Sequence, residues 1–211
     1  MSNTGIGAND IGNADTLLFV IDNLQAASFY CEEIRRDAKR AWHHVNAFAG
    51  LAYVTWESLA NVCKPASSGA AQCATCGYIR SVYSGDSEEW EWFKKAKSSA
   101  TGSLIGKYFH RGRREHVHGG EGLVTGWSST LFVTHEGKLE SSSEPLLREV
   151  TGLLPHKPTA DACANYMALL VGVVNDGYVR FKIDWDPSLA LQSEIDSLVA
   201  RWLKGEPPAA Q

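Results

Sequence analysis

"DTLLFVIDNLQAASFYCEEIRRDAKR", residues 15–40, is the stretch on which the fold turns. Leu17, Val20, Ile21, Leu24, Ala27, Cys31 and Ile34 recur at the three- and four-residue intervals that line one face of an α-helix, and Asp15 stands where an N-cap belongs. Such a stripe needs an apolar partner. The chain supplies one at once: "AWHHVNAFAGLAYVTWESLANVC", residues 41–63, carries Val45, Phe48, Ala52, Trp56, Leu59 and Val62 on one face, and Lys64-Pro65 stops it. Two long amphipathic helices in succession predict a mainly α fold built as a helical bundle.

Downstream of this pair the signals are shorter. Between Pro65 and Ser87 the composition turns small and polar, which predicts a loop with one short element around "YIRSVY". A helix restarts behind Ser87, where "SEEWEWFKK" sets a capping serine before two acids that suit the positive end of the helix dipole. The Ser-Ser-Ala-Thr-Gly run at 98–102 separates it from the next helix, which carries "SLIGKYFHRGRREHVH" and ends at Gly119-Gly120. A β-hairpin is predicted at about 129–142, turning at Glu136-Gly137. "TADACANYMALLVGVVNDGYVRF" (159–181) is apolar on most faces and reads as a central helix. The last helix is predicted to start at Pro187 behind Asp186, with Leu191, Ile195, Leu198 and Trp202 on its buried stripe. The chain so read has a flexible leader at 1–14, a single domain at 15–204 with the hairpin inserted, and a disordered tail at 205–211.

Composition narrows the function classes. Hydrophobic residues make up 44% and charged residues 21% of the 211 positions, values ordinary for a soluble globular protein, and no apolar run reaches membrane-spanning length. The N-terminus has neither the basic flank nor the apolar run of a secretory signal, so a cytoplasmic protein is expected. Five cysteines, Cys31, Cys63, Cys73, Cys76 and Cys163, have neither the parity nor the density of a disulfide framework. A net charge of -4 and a pI near 6.0 argue against a general polyanion binder, so any contact with nucleic acid must be local.

One local patch has the chemistry for it. "FHRGRREHVHGG" (109–120) places three arginines and three histidines within nine positions, His110 to His118. On a regular helix Arg111, Arg114 and His118 share one face, and Phe109, Arg113 and His116 another. Histidine exchanges a proton near neutral pH, and arginine holds a phosphate bidentately while staying charged. One of each beside a phosphodiester suffices for acid-base cleavage without a metal. Basic residues in a helix's last turns also interact favourably with its dipole and free carbonyls, and need no further role to be there.

The segment resembles the HEPN superfamily of helical bundles, whose signature is an arginine followed after four to six residues by a histidine; here Arg113 and His118 fit it. The two preceding long helices and the small-residue run "HHVNAFAGLAYVTW" add to the resemblance. It implies a homodimer whose paired motifs cleave RNA without a metal or cofactor. Arg113 would polarise the scissile phosphate and His118 would act as general acid or base, with Arg111, Arg114 and His116 in support. It further implies a bacterial defence or toxin-antitoxin setting with an antitoxin or other protein partner. Some relatives have lost catalysis and serve as interaction or nucleotide-binding modules, which is the alternative reading.

Other candidates are weaker. Cys73 and Cys76, with Cys63 upstream, have half of a structural zinc spacing and lack a fourth ligand. His110, His116 and His118 with Glu115 or Glu121 lack a recognisable metal spacing. His43 and His44 are adjacent and so point about 100° apart on a helix. Glu32 and Glu33 beside Arg35 and Arg36 read as surface ion pairing on the first helix. No phosphate loop, nucleophile elbow or dinucleotide fingerprint is present.

Overall fold

The seven apolar positions that define the first helix are all at most 5% exposed, and the six of the second at most 4%. In the computed structural model, which describes residues 11–65, 67–72, 79–83, 87–106, 124–147 and 159–205, they belong to α1 (Ile11–Arg36) and α2 (Ala41–Cys63). Asp37 and one turn of 3-10 helix (Ala38–Arg40) connect the two, and the Asp37 carboxylate accepts from the Arg40 backbone N–H at 3.2 Å. So short a link folds α2 back along α1, which brings Tyr30 and His44 within 6.0 Å on either side of the bend. The helix begins at Ile11 and not at Asp15, which corrects two expectations. Asp15 lies inside α1 and not at its N-cap, and residues 11–14 are helix and not leader. Extending a formed helix by one residue costs far less than starting one, so a helix held by packing grows past its first cap signal.

Lys64-Pro65 ends α2 as expected, Lys64 adopting extended backbone. The predicted loop that follows is corrected: Ser67–Gln72 (β1) pairs antiparallel with Ile79–Tyr83 (β2). "SSGAAQ" has no β-branched or aromatic residue, so only its partner strand carries a sequence signal. Ser87 then caps α3 (Glu88–Ser98) by accepting the Trp90 N–H at 3.1 Å, with Glu88, Glu89 and Glu91 in the first turn. The break at Ser99 is also as expected, and α4 (100–106) starts there with the Gly102 N–H donating to Ser99 Oγ at 3.0 Å.

The hairpin is longer than predicted, with β3 (Val124–Val133) pairing β4 (Leu139–Leu147). Its turn falls at Glu136-Gly137, where Gly137 takes φ +77°, a region that a side chain disfavours. The central helix is α5 (Thr159–Trp185), which contacts α1, α2, α3, α6 and β4. Its Tyr166, Met167, Leu170, Val171, Val174 and Tyr178 are at most 1% exposed. Trp92 of α3 closes one end of this core against Phe181 and Trp185, its indole N–H bonded to Asp176 at 2.8 Å, while Phe93 beside it packs against Trp56. Buried side chains from α1, α2, α3, α5 and α6 join in one cluster, and the chain is a mainly helical bundle.

The final helix corrects another expectation. It is α6 (Gln192–Leu203), which starts five residues after Pro187 (192 − 187). Asp186 still acts as a cap, but of the intervening turn: its carboxylate accepts from the Ala190 and Leu191 N–H groups at 3.1 and 3.0 Å, from Ser188 Oγ at 3.1 Å and from the Tyr178 hydroxyl at 2.9 Å. Leu191, Ile195 and Leu198 are buried as the stripe predicted. Residues 1–10 and 206–211 lie outside the described residues. Among the described residues no helix is long and apolar enough to cross a membrane.

Two outcomes follow from this packing. A Cβ on Gly177 would fall 2.6 Å from the Trp92 ring and 2.7 Å from that of Trp185. Both rings are walled in, so Gly177→Ala should destabilise by about 1–3 kcal/mol in urea unfolding despite the better helix propensity of alanine. Burial at Asp186 opposes ionisation, yet the four hydrogen bonds outweigh it and hold the carboxyl below its ordinary value. The resulting stabilisation is complete above the unfolded-state value of about 3.9 and is lost as pH falls through the lower folded-state value. The gap in Tm between the wild type and Asp186→Asn should therefore be widest near neutral pH and shrink below about pH 4.

Candidate functional site

In sequence the basic stretch follows α4. Ile105 of that helix is fully buried and so fixes α4 to the bundle. Arg111, Arg113, Arg114, His116 and His118, and with them His110, Glu115 and Glu121, lie outside the described residues, as do Cys73 and Cys76. Cys63, the third cysteine of that set, is a free thiol 1% exposed at the end of α2. The two adjacent histidines diverge: His43 is exposed, whereas the His44 side chain is 15% exposed, with Nε2 3.9 Å from the Asp37 carboxylate. Among the described residues no group of three or more His, Cys, Asp or Glu could hold a metal ion.

What the described residues do assemble is a cleft where three helix ends meet. The last two turns of α1, the first turns of α5 and the last turn of α6 enclose about 260 Å³. Glu32 and Arg36 face it one turn apart on α1, as do Cys31 and Arg35; Ala164 of α5 and Arg201 and Trp202 of α6 complete it. The α6 wall is pinned, because the Trp202 indole N–H donates to Ser28 Oγ of α1 at 2.8 Å.

The ion pairs sort into a fixed set and a loose one. Glu32 pairs with Arg201 across the helices, and these side chains are 19% and 28% exposed. Arg36 reaches Glu32 at 3.4 Å and Glu33 at 3.1 Å, as the sequence spacing predicted, but is 61% exposed. Arg35 does not join that group; it pairs with Asp161 of α5 at 2.6 Å, both partners more than half exposed. Burial pushes the Cys31 thiol up to about 12 against the opposing pull of Arg35 and Arg201, so the floor of the cleft is neutral.

No family model, curated protein or solved structure matches the chain. The cleft therefore has to be judged on its own chemistry.

Sequence reading identified Glu32, Arg35 and Arg36 as charged neighbours and missed the cleft. Asp161 lies 126 residues from Arg35, and nothing local ties them. The one available signal was Trp202, an aromatic at the end of a buried stripe with Arg201 beside it.

The thiols allow a direct check of this picture. Burial raises Cys31 and Cys63 to about 12, and Cys163 well above its usual value. At pH 8 a thiol with such a pKa is only about one part in 10⁴ thiolate. In the native protein all three should resist iodoacetamide at pH 8, as followed by peptide mass spectrometry, and react once it is unfolded in urea.

Proposed function

We propose that the chain is a HEPN-like protein that binds RNA and cleaves it without a metal, as a cytoplasmic homodimer of a bacterial defence or toxin-antitoxin type with an antitoxin or other protein partner. One observation carries the reading: an arginine and a histidine at the family's spacing, Arg113 and His118, follow a helix of a mainly helical bundle that opens on two long, mutually packed helices.

The chemistry follows from the residue types. Arg113 neutralises the non-bridging oxygens of the scissile phosphate, where charge builds in the transition state. His118 takes the proton from the ribose 2′-hydroxyl, or delivers one to the departing 5′-oxygen, leaving a 2′,3′-cyclic phosphate. Arg111, Arg114 and His116 add positive charge that holds the strand, and two copies meeting in a dimer concentrate it in a protein that is acidic overall. The non-catalytic alternative, a module that binds a nucleotide or protein partner, draws on Arg114: a second guanidinium directly after Arg113 suits anion binding without proton transfer.

The deciding experiment is cleavage of an end-labelled RNA pool in EDTA by the wild type, Arg113→Ala and His118→Ala, each first shown to be folded by circular dichroism. Both substitutions should lower the rate by roughly 10²- to 10⁴-fold and abolish the cyclic-phosphate product. A wild type that cuts nothing, or variants that cut equally well, would overturn the catalytic reading in favour of the binding module.

A further inference from the structure

We propose that the outer side of α3 is a surface that holds the RNA strand next to the Arg113/His118 motif; the inference rests on the RNA-binding reading and extends it to an element outside the motif. Positive charge is segregated in this part of the chain. Seven of the 20 lysines and arginines lie in the 23 residues between Glu91 and Glu115 (115 − 91 − 1), a span with no aspartate or glutamate. The other 13 (20 − 7) are outnumbered by the 24 acids that stand elsewhere. Within α3 the two signs divide. Glu88 and Glu91 at its start are neutralised, by Arg180 of α5 and by Lys94. Lys95 and Lys97 at its end are exposed and pair with no carboxylate among the described residues.

These two ammonium groups are not needed to close the helix. The Lys95 carbonyl accepts from Ser98 Oγ at 3.0 Å, the Ala96 carbonyl from Ser99 Oγ at 2.6 Å, and both accept from the Ser99 backbone N–H. Their charge is left for a partner. Trp90, Lys94 and Lys97 fall at i, i+4 and i+7 and so share one side of α3, with Lys95 on the adjoining side. Trp90 is partly exposed, and its ring is held by stacking on Phe93 at 5.8 Å. A fixed aromatic ring among free cations suits a single strand of nucleic acid, whose bases stack while its phosphates meet the ammonium groups; an acidic peptide offers no base to stack. The geometry also ties this side to the motif. A Cβ on Gly102 would fall 2.7 Å from the Lys97 Cα, so α4 starts in backbone contact with the end of α3. Gly106, where α4 ends, lies four residues (106 − 102) and about 6 Å further along that helix. The basic stretch therefore begins within about 10 Å of the Lys97 backbone.

The test is fluorescence anisotropy of the full-length protein with a short single-stranded RNA that is 2′-O-methylated throughout, so that it cannot be cleaved. Lys95→Ala/Lys97→Ala should weaken binding by about tenfold at low salt and flatten the slope of log K against log salt by about 1.4, the share of two phosphate contacts on a single strand. Lys39→Ala/Lys204→Ala removes the same charge at exposed positions elsewhere and should leave affinity within about twofold. Trp90→Leu, first shown to be folded by circular dichroism, should weaken binding of the RNA and leave that of inorganic polyphosphate unchanged. Unchanged affinity in the Lys95/Lys97 variant, or an equal loss in the Lys39/Lys204 variant, would overturn the surface. So would poly-glutamate binding as tightly as the RNA, which would assign α3 to an acidic protein. A Trp90→Leu variant that weakens both ligands, or neither, would overturn the stacking. Arg113→Ala/Arg114→Ala in the same series separates this inference from the reading beneath it. Binding lost in that variant and kept in the lysine variant removes the α3 surface alone, whereas no binding by the wild type removes both.

Discussion

The apolar stripe of α1 has to be taken out of water along almost its whole length, and no single neighbour can do that. Seven side chains from Leu17 to Ile34 spread around more of the helix than one partner covers. α2 is delivered by a bend only a few residues long and takes one flank; α5, more than a hundred residues on, takes the other. Once α1 lies between them, α6 can reach it too, and the Trp202–Ser28 hydrogen bond and the Arg201–Glu32 pair record that contact. The long connection between α2 and α5 carries the two hairpins together with α3 and α4, whose Trp92, Phe93 and Ile105 join the buried cluster.

This arrangement also explains where chemistry is exposed. The carboxyl ends of α1 and α6 and the amino end of α5 come together, and helix ends are where charged side chains collect to satisfy free carbonyls and N–H groups. Arg35, Arg36 and Arg201 stand in last turns and Asp161 in a first turn, each of the sign the dipole favours. Ordinary capping electrostatics has thereby gathered three guanidinium groups around one cavity.

The motif at Arg113 to His118 and the cleft differ in what carries them. The motif is a local pattern, legible because residue types and spacing along the chain carry it. The cleft is built from three helices, and although Arg36 pairs one turn away, Arg35 and Arg201 pair across spans of the chain that no periodicity links. Cys31 illustrates the limit: as the last small apolar member of a helical stripe it reads as core, which it is, while its neighbours on the same helix turn into the cavity.

Taken alone, the sequence determined the helices of the bundle, their buried faces, the Ser87 cap, the stop at Lys64-Pro65 and the Glu136-Gly137 turn. Each rests on side-chain periodicity or on backbone preferences acting within a few residues. Tertiary structure decided the rest. It extended α1 back to Ile11, recruited "SSGAAQ" as a strand because "IRSVY" offered hydrogen bonds, and delayed α6 to Gln192 because Asp186 was already committed to Tyr178 and the turn. It also placed Arg201 beside Glu32. Those outcomes depend on groups distant in sequence competing for the same partner, and that competition is settled only when the chain has closed on itself.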